Sequence, residues 1–413
     1  MTALRALPLA AGFDPREIKA QFPVFSRHPG LVYLDTAASA QKPDVVIEGI
    51  AEFYRSEYAN VHRGAYHLSM RATERFEQAR ETVRRFLNAA ATEEIIFVRG
   101  ATEAINLVAN SWGMGLQPGD EILITGLEHH ANIVPWQMLR DRLGIRLELV
   151  PVTDEGGLDM AAFAQRLTPR TRLVACTHVA NVTGHVTPVA EIVRLAHAAG
   201  ALVLLDGCQA APRLAVDVRA LDCDFYVFSG HKCYGPTGIG VLYGRQALLA
   251  AMPPWQGGGD MIRTVTHAQT SYQDAPFRFE AGTPDIAGAV GLDIALCFMM
   301  ELGLPVIEAH EQELTDYALA ALSRTRGVRL SPGGGCQLGA ISFTVDVIHP
   351  HDLATIFDQL KIALRAGQHC AQPLMERLGV TATARLSFGV YNTAEDVDAL
   401  ISAIARAQKL FGV

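Results

Sequence analysis

The chain has 413 residues, enough for two or three domains with a large buried core. Hydrophobic residues make up 49% of it and charged residues 19%, a balance typical of folded enzymes and not of disordered or coiled-coil proteins. Its 35 lysines and arginines against 43 aspartates and glutamates give a net charge of −8 with no basic cluster, which argues against a nucleic-acid partner.

Residues 1–30 form an N-terminal segment with a helix start at Asp14-Pro15 and no recognisable signal-peptide cleavage site. The longest apolar runs of the chain are far shorter than the roughly 18 residues of a membrane helix. Seven cysteines without a C-x-x-C pair favour reduced thiols. We expect a cytoplasmic protein with no membrane partner, whose residues 1–30 pack against a small C-terminal domain.

Residues 31–295 are expected to form a large α/β domain. Six apolar runs alternate with amphipathic stretches, which predicts buried strands of a mostly parallel sheet joined by crossover helices. The segment 251–282 changes to Pro, Gly and Thr and predicts an irregular excursion or a hairpin. The six runs, in chain order, are EEIIFVRG, DEILITGLEHH, IRLELVPV, TRLVACTHVAN, ALVLLDG and DFYVFSGHK.

Residues 296–413 are expected to form a smaller C-terminal α/β domain. A helical stretch to about Arg326 precedes a Pro/Gly break at 331–335. Two strand-like runs follow, LGAISFTVDV and ARLSFGVY, and the loop that contains Cys370 lies between them.

Polar residues follow several predicted strands, at the sheet edge where open parallel sheets bind ligands. Asp206 follows five apolar residues, where an unpaired carboxylate is costly. Ser229, His231 and Lys232 follow the next strand. Pyridoxal phosphate matches this set, because a lysine binds its aldehyde and an aspartate pairs with its pyridinium nitrogen. A structural salt bridge between Asp206 and Lys232 is the alternative.

Other strand ends carry further candidates. Thr102 follows Gly100 and Ala101 at a helix start, which indicates a phosphate seat or an ordinary helix cap. His129 and His130 suit proton transfer beside a cofactor, and no third ligand at metal spacing accompanies them. The next strand is followed by His178 and Asn181, of which Asn181 either bonds cofactor or substrate or forms a turn.

Cys370 is the best candidate for a nucleophile. It lies in the loop RAGQHCAQP, with a glycine hinge, an adjacent histidine and Arg365 nearby, conditions that favour the thiolate. Cys208 and Cys233 stand beside the cofactor candidates, but buried cysteines are common, and we interpret both as packing residues.

Six strings, in order along the chain, resemble group II cysteine desulfurases of the SufS/CsdA type. The resemblance runs from about Phe13 to the C-terminus, and so many strings in register make it specific. The strings are NVHRG (60–64), EHHANIVPWQ (128–137), FSGHKCYGPTGIGVLYG (228–244), FEAGTPDIAGAVGL (279–292), RAGQHCAQPLM (365–375) and YNTAEDVD (391–398).

The resemblance implies a fold-type I pyridoxal phosphate transferase that acts as a homodimer. It implies conversion of L-cysteine to L-alanine, with the sulfur held as a persulfide on Cys370. A SufE/CsdE-like acceptor protein then takes the sulfur for iron–sulfur cluster assembly or another sulfur pathway. A selenocysteine lyase acting on L-selenocysteine, or another class V enzyme on the same scaffold, is the alternative, and a non-enzymatic scaffold protein is a more distant one.

The resemblance also assigns roles by position. Lys232 is the lysine that binds the cofactor, Asp206 pairs with its ring nitrogen and His129 stacks on its ring. Gln209 donates to its phenolic oxygen. Two larger sets follow from the same resemblance. The cofactor phosphate is bound by Ala101, Thr102, Ser229, His231 and, from the other subunit, Thr283. The substrate is bound by Asn181, Arg365 and Arg385, with His62 and Arg63 reaching across the subunit interface.

Four residues depart from the family pattern. Thr36 stands where the family usually has Asn, and Ala101 leaves the phosphate seat one hydroxyl short. Arg213 occupies a place often held by His, and Gln368 replaces a His of SufS-like members, as in the CsdA-like branch. The departures affect the expected cofactor affinity, the branch and the proton relay, and leave the class unchanged.

Overall fold

The computed structural model describes residues 13–413. The α-helices in this range are α1 (Pro15–Lys19), α2 (Pro23–Arg27), α3 (Asp44–Glu52), α4 (His67–Phe86), α5 (Ala101–Asn110), α6 (Val134–Leu143), α7 (Met160–Arg166), α8 (Val189–Ala198), α9 (Val218–Leu221), α10 (Gln246–Ala251), α11 (Ile286–Leu302), α12 (Leu304–Ser323), α13 (Pro350–Gln359), α14 (Gln372–Arg377) and α15 (Ala394–Phe411).

The strands in the same range are β1 (Val32–Tyr33), β2 (Ile95–Val98), β3 (Glu121–Thr125), β4 (Arg146–Val150), β5 (Thr171–Thr177), β6 (Leu202–Asp206), β7 (Phe225–Ser229), β8 (Gly240–Gly244), β9 (Ile262–Val265), β10 (Thr270–Tyr272), β11 (Val328–Leu330), β12 (Ala340–Val345), β13 (Ile362–Ala363), β14 (Arg365–Gly367) and β15 (Thr383–Ser387). They form a large sheet, a small sheet and two strand pairs.

The large sheet has seven strands in the order β2-β8-β7-β6-β5-β3-β4. All its pairings are parallel except those of β8, which runs antiparallel to both β2 and β7. The prediction of a mostly parallel α/β sheet is therefore confirmed. Sequence analysis missed β8, because its five residues begin and end with glycine and leave an apolar run of three, too short to stand out from the preceding loop.

Helices cover both faces of the large sheet. Leu204 packs with α5 and α6 on one face, whereas its neighbours Val203 and Leu205 pack with α4, α8 and α11 on the other. This alternation is the period of a strand, and because both faces are covered nearly every strand residue is apolar. The polar residues are consequently pushed to the ends of the strands.

The small sheet has four antiparallel strands in the order β11-β12-β15-β14. Helices α12, α13 and α15 pack on it and form a separate apolar cluster. Helix α14 differs, because its Leu374 and Met375, with the preceding Ala371, belong to the cluster of the large sheet. The loop that contains Cys370 therefore connects the two packing units.

The segment from Phe13 to residue 30 contacts both units. Asp14 caps α1, as the sequence predicts. Arg16 and Lys19 form ion pairs with Glu395 and Asp396 at the start of α15, while the Phe22 ring packs on Tyr391 and Phe298. The expected division into residues 1–30, 31–295 and 296–413 stays a prediction.

The region 251–282 contains a hairpin of β9 and β10, whose residues are mostly exposed. In residues 13–413 no single helix is long and apolar enough to cross a membrane. Helices α11 and α12 pass that test only as a pair, and they meet at an angle of 75°.

A buried ion pair ties α4 to the large sheet. Arg80 is 1% exposed, and its guanidinium donates to both carboxylate oxygens of Glu280 at 2.7 and 3.0 Å and to the Ile95 carbonyl at 2.9 Å. Glu280 also accepts from the Phe97 N–H at 2.7 Å. One carboxylate thus joins a helix, an edge strand and the segment before α11.

We predict that Arg80→Ala lowers the free energy of unfolding by about 3–5 kcal/mol, because it leaves the Glu280 carboxylate buried without a cation. Urea unfolding followed by circular dichroism measures the change. The matched control is Arg329→Ala, whose side chain is 75% exposed in its ion pair with Asp346 and whose loss should cost less than about 1 kcal/mol. An equal effect of the two substitutions would contradict the assignment.

Candidate active site

A cavity of about 180 Å³ lies at the carboxyl ends of β5, β6 and β7, beside the start of α5. Most of the residues predicted to hold a cofactor or substrate line it. They are Ala101, Thr102, His129, Asn181, Asp206, Gln209, Ser229, His231, Lys232, Arg365 and Arg385. They come from positions up to 284 apart in the chain. Most of them follow strands of the large sheet that end at the same edge, whereas Arg365 and Arg385 lie in β14 and β15 of the small sheet.

Asp206 is the last residue of β6 and is 4% exposed. Its Oδ1 accepts from the Cys208 N–H at 2.9 Å. The residue after the strand has to be a glycine, because a Cβ at Gly207 would lie 2.1 Å from the Tyr226 ring. Lys232 ends the 3₁₀ turn Gly230–Lys232 that follows β7 and lines the same cavity. A carboxylate and an amine thus face a common space, as the sequence predicts.

The start of α5 forms an anion seat. Ser229 Oγ accepts from the Ala101 N–H at 2.9 Å, and the exposed Thr102 hydroxyl also lines the cavity. The seat is closely built, because a Cβ at Gly240 would lie 2.5 Å from the Gly100 Cα. The His231 Nδ1 lies 3.3 Å from the Ser39 hydroxyl, and burial lowers the pKa of His231 to about 4, so its ring is neutral. Hydroxyls, helix N–H groups and a neutral imidazole are suitable phosphate donors.

His129 is a neutral ring with a defined tautomer. Burial first, and the nearby Lys232 charge second, lower the pKa of His129 to about 4. Its Nδ1 accepts from the Ala131 N–H at 3.0 Å, which places the ring proton on Nε2. His129 therefore presents one N–H donor at the cavity.

A buried network below His129 holds Glu128, which sequence analysis did not single out. The carboxylate accepts from the Thr125 hydroxyl at 2.6 Å, from Asn132 Nδ2 at 2.6 Å and from the Thr177 N–H at 2.9 Å. Asn132 in turn accepts from Trp136 Nε1 at 3.0 Å. These bonds fix the backbone on both sides of His129.

The amide of Gln209 has one orientation. Its Oε1 accepts from Arg213 Nη1 at 2.9 Å and its Nε2 donates to the Ala37 carbonyl at 2.8 Å. Because the guanidinium only donates and the carbonyl only accepts, the reversed amide would lose both bonds. Arg213, one of the departures from the family pattern, has its own counter-charge, since its Nε lies 2.7 Å from Glu311 Oε2 of α12, with both side chains 1% exposed.

Arg385 in β15 supplies a buried guanidinium. Its Nη1 donates to the Asn181 carbonyl at 3.0 Å and its Nη2 to Asp35 Oδ1 at 3.1 Å. Burial lowers the pKa of Arg385 to about 10 against the opposing effect of Asp35, so the group stays charged at neutral pH. The Arg385 Nε and the Asn181 Oδ1 are buried without a hydrogen-bond partner in the described chain. A bound carboxylate and amine would satisfy this pair of donor and acceptor.

Cys370 is half-buried and lies beside His369 and Arg365, which line the cavity. The Arg365 Nη2 is 3.8 Å from its sulfur. Asn181 Nδ2 donates to the His369 carbonyl at 2.8 Å, which links the loop to the residue beside Arg385. The predicted nucleophile and the predicted carboxylate-binding residues are therefore neighbours.

Three predicted site residues lie outside this cavity. His62 bonds Glu77 at 2.8 Å, and Arg63 is 2.5 Å from Asp260. Thr283 is exposed and lines a neighbouring groove with Arg99 and Trp255. Their expected roles lie across a subunit interface, and because the structure contains one chain, these roles stay predictions. His178 packs below the site with its Nδ1 3.1 Å from the Tyr226 hydroxyl, a supporting position.

The donor set matches pyridoxal phosphate. Lys232 provides the amine, Asp206 the carboxylate for a ring nitrogen, and Gln209 a free amide N–H for an acidic oxygen. The start of α5 with Thr102 and Ser229 provides the anion seat. The unpartnered Arg385 Nε and Asn181 Oδ1 are not needed for the cofactor and can bind the carboxylate and amine of a substrate. This suits pyridoxal phosphate, whose substrates are amino acids.

Comparisons with known proteins agree with this geometry. The profile of the family described as aminotransferase class-V matches residues 32–400. The chain is 52% identical over 400 residues to a cysteine desulfurase of Dickeya dadantii strain 3937, covering 96% of this chain and 97% of the relative. It is similar in structure to the cysteine desulfurase CsdA of Escherichia coli, with a TM-score of 0.89, 43% identity and coverage of 96% and 99% of the two chains. A cysteine desulfurase of Thermococcus onnurineus NA1 gives a TM-score of 0.92 at 36% identity, with coverage of 98% and 100%.

The Glu128 network predicts a pH dependence of stability. Burial raises the pKa of Glu128 from its ordinary 4.5 to about 8. Between these two values the unfolded chain ionises and the folded chain does not, so stability falls as the pH rises through that window. The Glu128→Gln side chain stays neutral, so its free energy of unfolding should not fall in this way. We expect the difference in unfolding free energy between Glu128→Gln and the wild type to rise by at least about 1.4 kcal/mol from pH 5 to pH 8, the equivalent of one pKa unit.

Urea unfolding at both pH values measures this difference. The control is Glu48→Gln, an exposed carboxylate at 67% side-chain exposure. If the Glu128→Gln and wild-type curves kept a constant separation, the buried carboxyl would have to be ionised at both pH values.

Proposed function

The chain belongs to the class-V aminotransferase family and, within it, to the cysteine desulfurases, and from this membership we propose that it converts L-cysteine to L-alanine and holds the sulfur as a persulfide on Cys370. Its cofactor is pyridoxal phosphate, and the similarity to solved desulfurases confirms the expected fold-type I transferase architecture. The observation that carries the proposal is the position of Cys370, with its sulfur 3.8 Å from Arg365 beside the Asn181 and Arg385 cluster.

The substrate is held by its carboxylate and its amine. Arg385 is charged and buried, and its unpartnered Nε is free to bind the carboxylate oxygens. Asn181 Oδ1 is an unpartnered acceptor beside it. Arg365 lines the same part of the cavity and adds positive charge. These three side chains orient the cysteine so that its sulfur faces the Cys370 loop.

Lys232 and His129 move the protons. Pyridoxal phosphate would supply an aldehyde for the substrate amine and an electron sink for the pair released at Cα. The Asp206 carboxylate stabilises a proton on the ring nitrogen, and Lys232, once displaced, removes the Cα proton. His129 donates from Nε2 at the cavity wall. The Gln209 N–H, fixed by Arg213, stabilises negative charge on an acidic oxygen.

Cys370 takes the sulfur. Its thiolate attacks the substrate sulfur, a sulfur–sulfur bond forms and the carbon–sulfur bond breaks, with its electron pair left on the substrate Cβ. Protonation of that carbon gives the methyl group of alanine. One cysteine and one enzyme thiol thus become one alanine and one persulfide, with no external oxidant or reductant.

A homodimer forms part of the proposal. Exposed large apolar side chains are concentrated on α3, the π-helical turn Phe53–Glu57 and the start of α4, and such a patch is typical of a protein interface. Thr283, His62 and Arg63 then serve the cavity of the second protomer. The patch consists of Val45, Ile47, Tyr54, Tyr58, Tyr66, Leu68 and Met70, each more than 40% exposed.

A SufE/CsdE-like acceptor protein and a cytoplasmic location complete the proposal. The half-buried Cys370 is accessible to an acceptor thiol. All seven cysteines are free thiols, the state kept by a reducing compartment. No described residue favours L-selenocysteine over L-cysteine, and the two substrates are compared in the experiment below.

We predict that Cys370→Ser abolishes both alanine formation and persulfide formation, because serine does not displace sulfur. Purified protein loaded with cofactor is mixed with L-cysteine without reductant, extra sulfur is mapped to peptides by mass spectrometry and alanine is quantified. The matched control is Cys336→Ser, an exposed thiol that should leave both products unchanged. Alanine without sulfur on Cys370 would point to another nucleophile, mercaptopyruvate would point to an aminotransferase, and pyruvate with sulfide and ammonia would point to β-elimination by a carbon–sulfur lyase. The same assay is repeated with L-selenocysteine. Alanine formation that is retained in Cys370→Ser with this substrate would favour the selenocysteine lyase.

For the dimer, we predict that Ile47→Glu combined with Tyr58→Glu yields a monomer, because two charges are introduced into the apolar patch. Light scattering after size exclusion should change from twice the chain mass of 44.6 kDa to that mass. The control is Leu149→Glu on the edge strand β4, where the side chain is 51% exposed. A dimer that survives the double substitution would place the interface elsewhere.

A further inference from the structure

The loop that contains Cys370 has an unusual backbone. His369 has a φ of 53° and Cys370 a φ of 55°, so two consecutive residues with side chains adopt the left-handed conformation. Each such residue costs roughly 1–2 kcal/mol for an L-amino acid. Contacts from outside the loop must hold this conformation, and they identify the residues that set the position of the sulfur.

His130 provides two of these contacts. Its backbone N–H donates to the Cys370 carbonyl at 2.7 Å, and its ring Nε2 accepts from the Gln372 N–H at 3.0 Å. The two bonds attach to the loop on either side of Ala371. Two further contacts hold the other end, from Asn181 Nδ2 to the His369 carbonyl and between His369 Nε2 and the Thr383 hydroxyl at 2.8 Å.

The Gln372 N–H has no partner of its own within the helix. Gln372 is the first residue of α14, and the first N–H groups of a helix lack an intrahelical acceptor. His130 Nε2 satisfies it only when that nitrogen carries no proton, so the neutral ring bears its proton on Nδ1. This tautomer is the opposite of that of His129, whose Nδ1 is the acceptor.

We propose that His130 is the positioning residue of the nucleophile: its imidazole anchors the start of α14 and thereby holds Cys370 in its left-handed conformation next to Arg365. The two adjacent histidines thus have separate tasks, since His129 faces the cavity and His130 faces the loop. The anchoring is a property of the folded chain alone, and only its effect on sulfur transfer rests on the proposed desulfurase activity.

Packing of α14 does not replace this anchor. Ala371, Leu374 and Met375 are buried in the large cluster, and Arg377 Nε donates to the Val152 carbonyl at 3.0 Å. These contacts hold the apolar side of the helix and leave its first N–H groups without an acceptor. His130 is the side chain that accepts from the backbone N–H at the start of the helix.

The first test is hydrogen–deuterium exchange of the peptide 366–377 in the wild type, His130→Ala and His130→Gln. We expect the Gln372 amide to exchange at least fivefold faster in His130→Ala, because its acceptor is lost. The glutamine side-chain oxygen can accept the same N–H, so His130→Gln should recover most of the protection. His28→Ala, at an exposed histidine, is the matched control. Equal exchange in the wild type and in His130→Ala would overturn the proposal.

The second test measures the thiol directly. Iodoacetamide labelling, followed for each cysteine by mass spectrometry, should modify Cys370 at least threefold faster in His130→Ala, while the exposed Cys336 keeps its rate as an internal reference. A change shared by both thiols would indicate general unfolding and would overturn the proposal, as would an unchanged Cys370 rate. His130→Gln should restore the wild-type ratio.

Turnover separates this role from the proposed function. His130→Ala should lower kcat for alanine formation about tenfold with KM for L-cysteine within twofold, because substrate binding by Arg385 is untouched. If the wild type forms no alanine but the exchange and labelling results hold, the desulfurase assignment fails and the anchoring stands. If the wild type is active and His130→Ala has the same amide exchange, thiol labelling and turnover, the anchoring role of His130 is rejected and the desulfurase assignment stands.

Discussion

A carboxylate that ends a buried parallel strand needs positive charge opposite it, and Asp206 imposes this condition on the whole site. It is 4% exposed, and the Cys208 N–H is the hydrogen-bond donor that the described chain gives it. The strand order places Lys232 and the ring of His129 around the same cavity, and in the proposed function a protonated ring nitrogen of the cofactor meets the remaining demand. The cofactor is therefore chosen by an electrostatic requirement that the sheet itself creates.

The histidines of the site do not contribute to its positive charge. Burial lowers the pKa of His129, His178 and His231 to about 4 and that of His369 to about 3. Positive charge comes from Lys232, Arg365 and Arg385, whose positions differ around the cavity. Neutral rings leave their nitrogens free for specific hydrogen bonds, so the site can hold two anionic groups at defined places without becoming uniformly cationic.

The sequence allowed most of the site to be predicted, because each key residue directly follows an apolar run that is recognisable as a strand. Asp206, Lys232, His129 and Asn181 all satisfy this condition. Strand β8 lacked a recognisable run, and Glu311 and Asp35 become relevant only through contacts with residues more than 95 positions away. His130 was noted only as one of a pair, since its bond to Gln372 spans 242 positions. Thr283, His62 and Arg63 depend on a second chain, which no pattern within one chain can place.

The packing of α14 on the large cluster gives the carrier sulfur a short tether. Cys370 lies three residues after the end of β14 at Gly367 and two residues before Gln372, and a fully extended chain spans at most about 3.5 Å per residue. The Cα of Cys370 can therefore move no more than about 7 Å from the helix start while α14 stays docked. Such a thiol cannot swing out to deliver its cargo. In the proposed transfer, the acceptor has to bring its own thiol to Cys370, so the surface around Cys370, and not the length of a mobile arm, selects which proteins receive the sulfur.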